Sequence, residues 1–162
     1  MVLPVSDELF GSFLSMAAPP PPPDPTPPQV VAYAELVAVT GDRSLTRGLR
    51  ARAKENARAI TDENELMQGV GAAVALAEPL VAAGEPPLPA LSWTASWPPT
   101  PRCGAAPTPR AFAASFSASW PATTTPRVRR YWRLVGEVTG ERAPIGTTLT
   151  WLGDALARSL AR

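Results

Sequence analysis

Histidine is absent from this 162-residue chain. That absence removes the commonest general base, the Ser-His-Asp and Cys-His arrangements, and most zinc sites. Cysteine occurs once, at Cys103, which excludes an intrachain disulfide and any cysteine-cluster metal site. Cys103 sits beside Arg102 in a proline-rich stretch, but the sequence supplies it with no base or oxyanion donor, so it is not read as a nucleophile. Lysine also occurs once, at Lys54; the rest of the 15 basic residues are arginine. The net charge is +1, so no global field steers the protein to nucleic acid or to an anionic membrane.

Long apolar runs are missing too. Met67 to Ala83 is broken by Gln68 and Glu78, is short for a membrane span, and reads as a buried helix. Met1 to Met16 carries Asp7 and Glu8 without a basic leader, so no signal peptide is expected, and the expected location is cytoplasmic or particle-associated. There is no Walker loop, and Gly69-Val70-Gly71 lies within a helix-like run, where small residues would allow close packing. The densest acids, Asp62, Glu63 and Glu65, look like the first turn of a helix rather than a metal site. No catalytic residue, metal or cofactor is expected, and the chain reads as a non-enzyme.

What is present is alanine, with 28 residues, and proline, with 21. Alanine buries little area per residue, and proline on this scale implies long irregular stretches. Ser6 with Asp7 and Glu8 can open a helix whose apolar face holds Leu9, Phe10, Phe13 and Leu14. This short amphipathic segment occupies 1–18. A polyproline linker follows over 19–28; it is a spacer or, in the functional reading, a ligand for a proline-binding groove, and the spacer is the simpler account. Within it, Thr26-Pro27-Pro28-Gln29 has the form of a capping box with proline in the first helical position.

A helical core is expected over 29–83. Its first helix runs to about Thr40 and stops at Gly41. The second has a stripe of Leu45, Leu49, Ala53, Ala57 and Ile60. The third has Leu66, Met67, Val70, Val74, Ala77 and Leu80 or Val81, with Pro79 expected to kink or end it. A Pro/Ala/Trp-rich connector spans 84–126 and either wraps the helices or lacks order alone. A C-terminal helical pair, 127–162, is expected to pack on the core. Its first helix places Val128, Trp132, Val135 and Val138 on one face and ends at Gly140; the second is capped by Thr147 or Thr148 and carries Leu149, Leu152, Leu156 and Leu160. The fold class is therefore mainly α: a small helical domain of four to six short helices with a long irregular connector.

Two echoes run through the chain. Leu36 to Arg43 resembles Leu134 to Arg142 if one residue is inserted in the second copy, with Tyr33 and Tyr131 upstream of each. Repeated helix-stop chemistry is the simpler account, and a duplicated hairpin the other. Ala95-Ser96-Trp97-Pro98 is repeated as Ala118-Ser119-Trp120-Pro121. Trp93, Trp97 and Trp120, with Phe10 and Phe13, are the candidate partner-binding residues, because extended aromatics suit pockets on another surface.

The expected function is that of a non-catalytic interaction or assembly protein, a small helical subunit of a larger complex or particle. The alternative is a nucleic-acid-binding accessory protein. Arg43, Arg47, Arg50, Lys54 and Arg58 would share one helix face along phosphates, while Arg129, Arg130 and Trp132 would form a basic and aromatic cluster for bases. Local pairing of these cations with Asp42, Glu55 and the acids after Thr61 is the plainer reading.

Overall fold

The computed structural model describes residues 15–43, 47, 51, 63–87 and 125–160. These residues are mainly α-helical, with no strand among them. Four helices are set out: α1, Pro27–Thr40; α2, Glu63–Ala82; α3, Pro126–Thr139; and α4, Ile145–Leu160. The chain divides into two compact units, Met1–Lys54 with Thr125–Thr147, and Glu55–Thr124 with Thr148–Arg162. Helix α1 finds its partner in α3, far along the chain, and the C-terminal pair is shared between the units.

In the first unit α1 starts at Pro27, so the last two residues of the expected linker are already helical. The capping box explains the start. Gln29 Oε1 accepts the Thr26 backbone N–H at 2.9 Å and the Thr26 hydroxyl at 2.9 Å. Pro27 loses nothing by lacking an N–H in the first turn. Gln29 Nε2 then donates to the Val138 carbonyl at 2.9 Å, near the end of α3. Further along, Arg130 meets Glu35 at 2.8 Å and Arg127 meets Asp42 at 2.9 Å. Partners that descend in one helix as they ascend in the other define an antiparallel pair. Ala32 and Leu36 of α1 and Trp132, Leu134, Val135 and Val138 of α3 form its buried core, joined by Ala17.

The two paired helices match at a constant offset of 99 residues. Thr26 and Thr125 are the N-caps, Pro27 and Pro126 follow, each helix has 14 residues, and Gly41 and Gly140 end them. The Val-Thr-Gly ends of the sequence echo share this offset, whereas its Tyr33/Tyr131 and Leu36-Val37/Leu134-Val135 matches lie at 98, so that echo still needs its one-residue insertion. The stops differ in mechanism. Gly140 takes the left-handed conformation, φ 77°, and its N–H bonds to the Gly136 carbonyl, a stop that favours glycine. Gly41 stays right-handed, φ −68°, so its helix does not end for that reason.

Two glycines of this unit answer to close packing. A Cβ on Gly136 would come within 2.9 Å of the Glu141 carbonyl and of Pro144 Cγ, where the chain turns back after α3. A Cβ on Gly146 would overlap the Trp132 indole. The ring is 6% exposed and edge-on to Tyr131, with centroids 5.3 Å apart.

In the second unit α2 buries Gly69, Ala73 and Ala77, a stripe of small residues, and leaves Val70 and Val74 half-buried. The stripe is rotated from the expected one, with Ala77 common to both. Gly71 faces solvent with open space around it, so the close-packing expectation does not hold there. The helix also runs past Pro79. The carbonyl that Pro79 leaves without a donor belongs to Ala75, on the exposed side where water can serve it. The helix stops one turn later in a Schellman arrangement: Glu85 N–H to the Leu80 carbonyl, Gly84 N–H to the Val81 carbonyl, and Gly84 at φ 74°.

Helix α4 begins at Ile145, earlier than the expected caps. The Pro144 carbonyl accepts the Thr147 N–H at 2.9 Å, which opens the helix and carries Thr147 and Thr148 inside it. Leu149, Leu152 and Leu156 are buried as their spacing requires, and Trp151, Ala155 and Thr148 are buried as well. Trp151 Nε1 donates to the Glu85 carbonyl at 2.8 Å, tying α4 to the end of α2.

These contacts set opposite expectations for two glycines. Gly146→Ala should lower stability by about 1–3 kcal/mol, since the methyl must displace a packed ring. Gly71→Ala should raise it by roughly 0.5–1 kcal/mol, because a helix interior gains from losing glycine. Thermal unfolding of both variants checks the pair; equal effects at the two sites would contradict the packing described.

Candidate interaction surface

The inward side of α1 holds Ala32 and Leu36, with Tyr33 and Val39 half-buried. By the 3.6-residue period, Val30, Ala34 and Val37 then fall on the outward side, with Val31 and Ala38 beside them. All five are exposed. Val30 is 52%, Val31 60% and Val37 55% accessible. Single exposed apolar residues are ordinary and need no explanation. Here they are contiguous, and the nearest charge is the Glu35–Arg130 pair at the edge of the face.

Helix α3 provides the comparison. At the offset that matches the two helices, Val30, Val31, Ala34 and Ala38 correspond to Arg129, Arg130, Arg133 and Glu137. Those four are exposed, so the frame accepts charge at these positions. Helix α1 has apolar residues where its counterpart has a charged, water-facing side.

The basic cluster on α3 does not assemble as expected for nucleic acid. Trp132, expected to stack on bases, is instead turned into the core. Arg130 is held by Glu35, and Arg127 by Asp42, the acid expected to serve the basic segment nearby. Arg133 lies 3.7 Å from Glu137. Arg129 is exposed. Tyr131 is half-buried, and its hydroxyl donates to the Ala17 carbonyl. Of the second basic group, Arg43 and Arg47 are helical and exposed. Arg50, Lys54 and Arg58 lie outside the described residues, as do Phe10, Phe13, Trp93, Trp97, Trp120, Cys103, Asp62 and most of the 84–126 connector. Among the described residues no group of acidic or cysteine side chains could hold a metal ion, and no helix is long and apolar enough to cross a membrane.

Trp151 was not singled out by the sequence, since it sits off the leucine stripe of its helix. Its ring nitrogen, satisfied by a carbonyl beyond α2, makes it a structural residue. Comparison with protein-family models, curated proteins and solved structures finds no match.

The Arg130 guanidinium holds the Glu35 carboxyl below its ordinary value, first by hydrogen bonding and then by charge. A depressed carboxyl contributes stability above its unfolded value and loses it as pH falls through the folded one. The Tm difference between the wild type and Glu35→Gln should therefore be steady near neutral pH and vanish in acid. High salt should shrink it as well, because the pair is exposed. A difference that persists unchanged at low pH would remove this pair from the register of the two helices.

Proposed function

We propose that this chain is a non-catalytic interaction or assembly protein, a small helical subunit that docks a partner through the outward face of α1. The observation that supports this reading is the replacement of α3's charged positions by Val30, Val31, Ala34 and Ala38 in α1. Burying a valine side chain completely is worth about 1.5 kcal/mol or more, so leaving three on one face forgoes a stabilisation that a second surface recovers. The centre of the face is apolar and charge lies only at its edge, in the Glu35–Arg130 pair, so the partner it fits is a largely apolar surface of another subunit. A 14-residue helix is roughly 21 Å long and offers less than the roughly 800 Å² that a stable interface takes from each side. Further parts of the chain must add to the contact.

Val31→Asp with Val37→Asp tests the reading. Both positions face water in the isolated chain, so unfolding stability should stay within about 0.5 kcal/mol of the wild type. The partner that co-purifies with the wild type from its native source should be lost, and direct titration with that purified partner should show the affinity falling at least about tenfold. A marked loss of Tm would place the two valines in the protein's own core. Undiminished binding of the partner would remove α1 from the interface.

A further inference from the structure

The proline tract has a pattern that a plain spacer does not require. Proline after proline favours the extended, three-residue-per-turn polyproline II form. Pro19 is buried and Pro22, one turn on, is half-buried; Pro20, Pro21 and Pro23 are exposed. Pro19 and Pro22 thus rest on the protein while Pro20 and Pro21 between them face water; the chain then bends at Pro23 and Asp24, leaving Pro23 and Pro25 exposed.

Both ends are fastened to the same helix pair. Just before the tract, Ala17 is buried in the α1/α3 core and its carbonyl accepts the Tyr131 hydroxyl. Just after it, Thr26 is held by Gln29, which also bonds to the Val138 carbonyl. A loose linker gains nothing from such fastening. A ligand does, because a segment ordered in advance loses less entropy when bound.

We infer that Pro20, Pro21 and Pro23 are a docking ligand for a partner domain with an aromatic-lined groove that reads polyproline II helices. Such grooves lay aromatic rings against exposed proline ridges and leave the third ridge untouched. Asp24, exposed at the end of the run, favours a groove with a basic residue at that end. This specifies a partner class within the interaction reading above, on a surface separate from the outward face of α1, so either can fail alone.

The test uses the full chain titrated with purified SH3, WW and EVH1 domains, followed by isothermal titration and by the domains' NMR shifts. At least one should bind saturably, with shifts confined to its aromatic groove. Pro20→Ala with Pro21→Ala and Pro23→Ala should weaken that binding about tenfold or more, since all three are exposed and their loss leaves the fold intact. Tyr131→Phe, which loosens one end, should weaken it by a smaller factor, about threefold. Val31→Asp with Val37→Asp should leave it unchanged, which separates this site from the face of α1. No saturable binding by any of the three domains, or binding undiminished in the triple proline variant, overturns the proposal.

Discussion

The side chain of Gln29 serves two helix ends at once, and the arrangement of the first unit follows from that. Its carbonyl oxygen takes the N–H and hydroxyl of Thr26, so α1 begins at Pro27. Its amide nitrogen gives a hydrogen bond to the Val138 carbonyl, one of the last four that a helix leaves without a partner of its own. Both ends are thereby satisfied by a single planar group, which fixes their separation. Once the start of α1 lies beside the end of α3, the helices must run antiparallel. Glu35 then reaches Arg130 and Asp42 reaches Arg127 without further adjustment. Exposed ion pairs of this kind add little stability, but a slip of one turn would break both.

Local chemistry was the part of this fold that the sequence made legible. Thr26 to Gln29 marked the start of α1, Gly140 the end of α3, and the leucine spacing the buried side of α4. Each rests on residues within a few positions of one another. Features that depend on what lies across the fold were not legible in this way. Pro79 looked like a helix end, yet water on the side of Ala75 lets the helix continue. Thr147 and Thr148 looked like caps, but Pro144 supplies the first acceptor earlier. On α2 the expected stripe and the buried one share Ala77, but Gly69 and Ala73 go inward where the spacing points to the larger Val70 and Val74. Periodicity gives the angle of a stripe only to within neighbouring positions, and close packing selects the smaller side chains.

The candidate site was legible to a different degree. The sequence directed attention to aromatics in the connector and to arginines. Arg129, Arg130 and Trp132 share one short stretch, but a helix sends neighbours in different directions. Trp132 goes to the core, where Gly146 makes room for it, while Arg130 turns to Glu35. A cluster in sequence is thus dispersed by 100° per residue. Helix α1 is apolar on more than one side, and only the position of α3 shows which of those sides is covered.

The match between α1 and α3 turns this into an argument about function. Both helices have the same length, the same Thr-Pro start and the same Thr-Gly end. Both pack one side against the other. Had the outward composition followed from the helix frame alone, the two outer sides would resemble each other. They do not: α3 presents Arg129, Arg133 and Glu137 to water, and α1 presents Val30, Ala34 and Ala38 at the matching positions. Helix propensity does not account for the difference, since Arg and Glu are better helix formers than Val. Solubility does not account for it either, because charge there would improve it. The proposed contact with a second apolar surface would make valine at positions 30 and 31 favourable, because it would take their side chains out of water.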